Sequence, residues 1–316
     1  MTTRKAAEAS LISVDWGTTS FRAYLVAASG EILERRESSA GILAVEGGDF
    51  AGTLRAAVAD WIAVAPGAAI VMSGMIGSRQ GWVEAPYVST PADAAAIASA
   101  SVMLTADGLT GIRLVPGLLT RAADGRPDVI RGEETQVIGA MRLLGVTDGL
   151  MVLPGTHAKW LTVVHGTLAG FETYMTGEVF AALKGHTILG RTMVAGTEAR
   201  SEGEAFADGV KLGAAAGHPG QLLNRIFSTR TRGLTGELED AKAADYLSGL
   251  LIGAELAAAT MGGARRFTII ASEALAARYR TAAALLGFKA EVAPADCVVA
   301  GHLELLAAWQ AGGDKR

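Results

Sequence analysis

The chain has 316 residues, half of them hydrophobic, which is enough for about two domains that each bury a sizeable core. Its 28 basic and 32 acidic residues give a net charge of -4 without a basic stripe, so a nucleic-acid partner is not expected. The single cysteine, Cys297, excludes an internal disulfide and a thiolate metal cluster.

The polar residues 1–10 lack the apolar segment of a signal peptide and predict a short disordered lead. The longest apolar stretch, residues 246–261, is interrupted by Glu255 and is too short for a membrane span of about 20 residues. We therefore expect a cytoplasmic protein without a membrane partner.

Residues 11–22 combine an apolar run, one acid and a hydroxyl-rich turn. The alternating run predicts a strand that ends near Asp15, whose carboxylate can bind a hydrated Mg²⁺ ion. Gly17 allows a tight turn, and the hydroxyl and N–H groups of Thr18 and Thr19 suit phosphate oxygens. The pattern predicts a phosphate-binding hairpin, although an ordinary β-hairpin turn explains so short a motif equally well.

Hydrophobic periodicity predicts further elements in the N-terminal half. They are strands at 21–27, 31–38 and 68–72 and a helix at 50–64. Residues 73–91 then form a long segment rich in Gly, Pro and aromatic residues, and a loop of that length is usually functional.

The C-terminal half repeats the shape of the opening segment: a strand at 150–153, a Gly-Thr turn, and strands at 160–165 and 167–174. Helices are predicted at 133–144, 176–183, 202–216, 221–229, 237–261, 273–285 and 299–310, with strands at 267–271 and 290–292. We expect two lobes, 1–130 and 131–316, around a cleft, with the last helix packing back near the hinge.

A phosphate loop in each half resembles the actin, Hsp70 and sugar-kinase superfamily. Three longer strings are similar to those of the 2-dehydro-3-deoxygalactonokinase family: S-G-M-I-G-S-R-Q-G-W at 73–82, R-G-E-E-T-Q at 131–136 and L-P-G-T-H-A-K-W at 153–160. The resemblance covers nearly the whole chain. It implies a two-lobed α/β, actin-like (ribonuclease H-like) fold, in which each lobe is a mixed sheet flanked by helices.

The resemblance also implies ATP and Mg²⁺ as cofactors, with the first loop positioning Mg-ATP and the second loop completing the phosphate site. The residues implied to bind the nucleotide are Asp15, which is also the metal ligand, Gly17, Thr18, Thr19, Gly155, Thr156, His157, Ala271 and Ser272.

Phosphoryl transfer to a hydroxyl requires a carboxylate that accepts its proton. In related sugar kinases a Gly-Asp-Gln sequence carries this base, so the resemblance implies Glu133 or its neighbour Glu134. Acidic residues at a helix N-terminus are also common because they interact favourably with the helix dipole.

A 2-keto sugar acid requires a cation for its carboxylate and polar groups for its hydroxyls, and the planar fork of arginine suits the carboxylate. The candidate substrate residues are Ser73, Arg79, Gln80, Trp82, Glu84, Lys159 and Thr176.

The family resemblance implies ATP-dependent phosphorylation of 2-dehydro-3-deoxy-D-galactonate to its 6-phosphate, in galactonate catabolism. One alternative is a kinase for another 2-keto-3-deoxy acid or an aldonic acid, since the stereochemistry of one hydroxyl group distinguishes such substrates. A second alternative is a non-catalytic sugar sensor, which would be free to lose the loops and the base. The expected partners are a sugar acid and ATP, and the sequence leaves a homodimer open.

Overall fold

The computed structural model describes residues 8–106, 108–194, 199–200 and 203–313. Residues 1–7 of the predicted lead and residue 202, the predicted start of a helix, lie outside the described residues. The chain divides into two compact units. The first comprises Met1–Asp148, Val163–Gly170 and Pro294–Arg316, and the second comprises Gly149–Thr162 and Phe171–Ala293. This division differs from a boundary at residue 130 by assigning residues 131–148 and the last helix to the first unit.

The strands occur singly or in consecutive groups between the helices. In order they are β1 (Ala9–Trp16), β2 (Phe21–Ala27), β3 (Ile32–Ser38), β4 (Ala69–Ser73), β5 (Tyr87–Ser89), β6 (Val102–Ala106), β7 (Leu109–Leu114), β8 (Gly117–Arg121), β9 (Pro127–Ile130), β10 (Gly149–Leu153), β11 (Ala158–Val164), β12 (Thr167–Tyr174), β13 (Arg266–Ile269) and β14 (Lys289–Val292).

The helices are α1 (Phe50–Val64), α2 (Ala94–Ser99), α3 (Glu133–Leu144), α4 (Thr176–His186), α5 (Glu204–Ala214), α6 (Pro219–Leu234), α7 (Ala243–Ala259), α8 (Glu273–Leu285) and α9 (Cys297–Gly313). In the described residues, none of them is long and apolar enough to cross a membrane.

The two larger sheets share one strand order. The first sheet runs β3-β2-β1-β4-β7-β6, and the second runs β12-β11-β10-β13-β14. In the first sheet β1 pairs antiparallel with β2 and parallel with β4, which in turn pairs parallel with β7. In the second sheet β10, β13 and β14 pair in parallel. Each sheet therefore places its first strand between the rest of its meander and the later strands, three in the first sheet and two in the second, so both loops follow an equivalent strand.

A small third sheet, β5-β8-β9, takes its β5 strand from the segment 73–91 that the sequence predicts as one long loop. Its β5 strand pairs parallel with β8, about 30 residues further along the chain, and β8 pairs antiparallel with β9. Such short, distant strands give no clear periodic pattern, which explains why β5 to β9 were missed.

Helices with a strong pattern end where the sequence predicts. Helix α1 buries Leu54, Val58 and Trp61 on one face, and the Asp49 carboxylate caps it by accepting the Gly52 N–H at 2.8 Å. Helices α3 and α8 also match their predicted bounds.

Helices α3 and α9 cross at backbone contact in the first unit. A Cβ added to Gly139 would lie 1.7 Å from the Cys297 carbonyl oxygen, and one added to Gly301 would lie 2.0 Å from the Thr135 carbonyl oxygen. Only glycine fits at both positions, so the last helix fixes the position of the helix that begins at Glu133.

Candidate active site

The first loop is a tight turn, and the backbone of residues 41–43 packs against one side of it. Gly17 donates its N–H to the Ser20 carbonyl at 2.8 Å, and Leu43 donates to the Thr18 carbonyl at 3.2 Å. A Cβ on Gly41 would lie 2.4 Å from that Thr18 oxygen, so the supporting chain packs directly on the turn. The Thr18 and Thr19 side chains remain exposed, so their hydroxyl groups are available to a ligand.

Asp15 is the penultimate residue of β1 and forms an ion pair with Arg22, with Nη1 and Oδ2 3.1 Å apart. Burial raises the pKa of the Asp15 carboxyl, and the Arg22 guanidinium acts in the opposite direction. In the part of the chain that the structure describes, no three His, Cys, Asp or Glu side chains form a metal cluster. One carboxylate beside a phosphate loop fits Mg²⁺, which keeps several waters and binds substrate phosphates.

The start of α3 lies beside Asp15 because two glycines bring three chain segments together. Ser73, the last residue of β4, pairs in register with Asp15, and Gly74 follows it. A Cβ on Gly74 would lie 3.3 Å from Asp15 Oδ1, and one on Gly132 would lie 3.0 Å from the Gly74 Cα. Both glycines have positive φ angles, 94° and 107°, which other residues rarely adopt. The geometry thus places the Asp15 carboxylate and the acidic helix start in one neighbourhood.

Glu133 and Glu134 have different surroundings. Glu133 is half-buried and accepts the Arg131 N–H at 2.9 Å. Glu134 is fully buried, and its two oxygens accept the Gly132 N–H at 2.9 and 2.7 Å while one also accepts the Thr135 hydroxyl at 3.0 Å. Burial, and secondarily the Glu133 charge, raises the pKa of Glu134 to about 7.

Arg131 joins the helix start to the segment after β4. Its Nη2 donates to the Ala85 carbonyl at 2.9 Å, and its guanidinium lies 4.4 Å from the centre of the Tyr87 ring. The side chain is buried, which is uncommon for arginine. This contact could not be predicted, because the string R-G-E-E-T-Q does not show where the Arg131 side chain lies.

The predicted sugar-acid residues occupy different environments in the first unit. Arg79 and Glu84 are exposed and pair with each other, with Nε and Oε2 3.5 Å apart, and Gln80 is also exposed. Trp82 is half-buried and packs against the core of the first unit. Ser73 is fully buried, and within the described residues its hydroxyl has no hydrogen-bond partner.

In the second unit, the start of α4 supports the second loop. A Cβ on Gly177 would lie 2.3 Å from the Gly155 carbonyl oxygen, and Glu178 donates its N–H to the Thr156 carbonyl at 2.9 Å. His157 Nε2 and Glu178 Oε2 are 2.5 Å apart, and both side chains are about half exposed. The exposed Thr156 and His157 side chains can therefore reach a ligand, as in the first loop.

Lys159 and Thr176 lie behind this loop. Lys159 is buried and donates to the Thr173 hydroxyl across the β11–β12 hairpin at 3.0 Å, whereas the sequence suggested contact with a phosphate or carboxylate. Thr176, the first residue of α4, is half-buried and donates its hydroxyl to Glu255. No functional role was predicted for Glu255 from the sequence.

Ala271 and Ser272 lie between β13 and α8, with Ser272 exposed at the N-cap of α8. A small cavity in the second unit adjoins the second loop and is bounded by α4, α7 and α8. Its lining residues are Gly155, Thr176, Gly177, Phe180, Ser248, Leu251, Ile252, Leu275, Arg278 and Tyr279. Ala271 and Ser272 do not line this cavity. Its walls come from α4, α7 and α8, and their contribution could not be predicted from the sequence.

Two units with one strand order, each carrying a hydroxyl-bearing turn after its first strand, define an actin-like ATPase fold. The predicted fold class is confirmed. The sequence profile described as 2-keto-3-deoxy-galactonokinase matches residues 15–305, and the chain belongs to this family of sugar-acid kinases.

Individual relatives agree with this assignment. A protein of Rhizobium meliloti (strain 1021) named as a probable 2-dehydro-3-deoxygalactonokinase is 37% identical over 93% of this chain and 95% of its own length. The 2-dehydro-3-deoxygalactonokinase of Escherichia coli (strain K12) is 35% identical over 87% of this chain and 90% of its own length. The crystal structure of a candidate 2-dehydro-3-deoxygalactonokinase from Sinorhizobium meliloti superposes with a TM-score of 0.86 at 35% identity, covering 95% of this chain and 98% of that one.

Proposed function

We propose that this protein transfers the γ-phosphoryl group of ATP to the terminal hydroxyl of 2-dehydro-3-deoxy-D-galactonate, in galactonate catabolism. Family membership supports the reaction class and the substrate. The observation that carries the assignment of residues is the contact between Gly74 and Gly132, which brings the acidic start of α3 beside Asp15. A proton acceptor and a cation-binding carboxylate in one neighbourhood are what phosphoryl transfer to an alcohol requires.

In this proposal Glu133 is the general base. It accepts the proton of the substrate hydroxyl as the oxygen attacks the γ-phosphorus, the bond to the bridging oxygen of ADP breaks, and ADP leaves. Glu133 is half-buried, whereas Glu134 is fully buried and its oxygens already accept two hydrogen bonds from its own helix start. Glu134 would therefore hold the Gly132 turn in place.

The nucleotide residues follow from the two loops. Thr18 and Thr19 in the first unit, and Thr156 and His157 in the second, present exposed hydroxyl, N–H and imidazole groups to phosphate oxygens. Ala271 and Ser272, between β13 and α8, remain the proposed contacts of the nucleoside part of ATP. Asp15 would hold Mg²⁺, which when bound neutralises charge on the phosphates.

On the substrate side, Ser73 and the loop that holds Arg79, Gln80, Trp82 and Glu84 remain the proposed contacts for the sugar acid. The Arg79–Glu84 pair is exposed, so it can separate at little cost when a carboxylate binds Arg79. Lys159 would act indirectly, through its bond to Thr173, because its side chain is buried.

The test is a coupled ADP-release assay with Mg-ATP and four acceptors: 2-dehydro-3-deoxygalactonate, its gluconate epimer, galactonate and glycerol. We expect turnover confined to the first acceptor. Loss of a general base typically costs about 10²–10⁴ in rate, so Glu133→Gln should lower kcat by that factor and Glu134→Gln by much less.

Other outcomes would redirect the proposal. Efficient turnover of another acid alone would keep the kinase and change its substrate. Calorimetric binding of the sugar acid without ADP release would favour the sensor. A loss of kcat in Glu134→Gln alone, with Glu133→Gln active and both variants folded, would contradict the assignment of the base.

A further inference from the structure

Glu255 is a buried carboxylate to which three other elements of the second unit donate hydrogen bonds. Glu255 lies on α7 and is 3% exposed. The Trp160 indole N–H from β11 donates at 2.7 Å, and the Tyr279 hydroxyl from α8 donates at 2.8 Å. The Thr176 hydroxyl from the start of α4 is the third donor.

This carboxylate holds its donors firmly. Desolvation raises the pKa of Glu255 to about 6, and the three donors act in the opposite direction, so the group is largely ionised at neutral pH. A buried charge is tolerated only when it is hydrogen-bonded, and hydrogen bonds to a charged group are stronger than neutral ones. The residues on either side of Glu255 in α7 are apolar, and packing alone would favour a hydrophobic residue at this position.

Two of the three donors line the cavity beside the second loop. Thr176 and Tyr279 form part of its wall together with Gly155. Thr176 also precedes Gly177, which packs on the Gly155 carbonyl. The position of Glu255 therefore affects both the cavity wall and the support of the loop.

We propose that Glu255 is a positioning residue of the nucleotide site, which fixes Thr176 and Tyr279 so that the start of α4 stays in place and the second loop keeps the shape that binds ATP. The inference rests on the proposed function, because it takes the second loop as part of the phosphate site. Glu255 acts through its donors and touches neither the nucleotide nor the sugar acid.

The experiment compares Glu255→Gln and Tyr279→Phe with Tyr246→Phe in the full-length protein. Glutamine keeps the size of Glu255 but replaces one acceptor oxygen with an amino group that faces donors. Tyr246 is a matched control: it is a buried tyrosine of α7, and its hydroxyl lies 2.6 Å from that of Ser228, away from the cavity. For each variant, KM is measured for ATP and for the sugar acid, and ADP binding is measured by calorimetry.

We expect Glu255→Gln to raise the KM for ATP and the Kd for ADP about tenfold, equivalent to about 1.4 kcal/mol. Tyr279→Phe should raise both about threefold, since it removes one of three bonds. The KM for the sugar acid should stay within about twofold in both variants, and Tyr246→Phe should change neither KM, although it removes a comparable bond.

Unchanged ADP binding in Glu255→Gln, or equal increases in both KM values, would overturn the inference and leave the proposed function intact. A wild-type protein that binds no ADP and uses no ATP would overturn both. The two failures are therefore distinguished by the wild-type titration.

Discussion

The two loops have the same place in the strand order but different chemistry. In the first unit, Asp15 precedes Gly17 by two residues, whereas Leu153 has the corresponding position before Gly155. The first loop is supported by the chain at Gly41, and the second by the helix start at Gly177. The repeated topology thus provides two hydroxyl-bearing turns, of which the first alone has an acid at this position.

The buried carboxylates of the two units differ in a similar way. Glu134 takes its hydrogen bonds from the residues on either side of it, so it fixes one turn. Glu255 takes them from three distant elements, so it fixes how those elements pack. Glu134 therefore stabilises the local geometry of one turn, and Glu255 stabilises the tertiary packing of three elements.

Between the two loops, the largest expected effect comes from removing the acid that distinguishes the first. Asp15→Asn keeps the size of the side chain but removes its charge, and we expect kcat to fall about 10²–10³-fold. Thr156→Val in the second loop should cost only about tenfold, because it removes one neutral hydrogen-bonding group. Steady-state kinetics over a range of Mg²⁺ concentrations measure both, and equal losses in the two variants would show that the loops are equivalent.

The next effect is on the pH dependence of stability. The folded protein binds a proton at Glu134 with a pKa of about 7, above the 4.5 of an unperturbed glutamate, so this group's contribution to stability falls as pH rises from about 4.5 to 7. Relative to Glu134→Gln, the wild type should lose on the order of 3 kcal/mol of unfolding free energy between pH 4.5 and 8.

Urea titrations at a series of pH values measure this difference. Glu255→Gln should give a change of the same sign that is complete near pH 6, since the pKa of Glu255 is raised to about 6. A difference that does not vary with pH in either variant would contradict the assigned protonation.

A smaller effect concerns the support of the second loop. In Gly177→Ala, the added Cβ would lie 2.3 Å from the Gly155 carbonyl oxygen, so the helix start must shift, at a cost of about 1–3 kcal/mol. Gly185→Ala is the matched control, because it lies on the same helix with no atom within 4 Å of its Cβ. Denaturant unfolding of both variants checks this, and equal stabilities would argue that the loop is not held by α4.

The smallest effect is expected for the exposed His157–Glu178 pair of the second loop. Exposed ion pairs contribute about 0–1 kcal/mol, so Glu178→Gln should raise the KM for ATP no more than about fivefold. Measuring the KM for ATP at low and high salt tests this, because salt screens an exposed pair. A loss as large as that of Asp15→Asn would reverse the proposed ranking of the loops.

Much of the fold could be predicted because its main elements have strong local signals. Helix α1 has one apolar face and an aspartate cap, and α3 ends at Gly145 in the left-handed conformation, so their bounds follow from the sequence. The region 94–130 was not predicted, since its strands are short and β8 pairs with the distant strand β5.

The segments that form the candidate site could be predicted from the sequence, but their arrangement in space could not. Asp15 and Glu133 were recognised separately, but their neighbourhood depends on the parallel pairing of β1 with β4 and on the Gly74–Gly132 contact. The roles of Glu255 and Lys159 depend on their burial and on their hydrogen-bond partners, and residue type reveals neither the burial nor the partners.

The crossing of α3 and α9 has a consequence for biosynthesis. The first unit needs residues from both ends of the chain, whereas the second is made almost entirely from one internal stretch. During translation the segment before residue 149 emerges first but lacks the helix that packs against Gly139. The second unit can therefore complete its fold before α9 has emerged to complete the first unit.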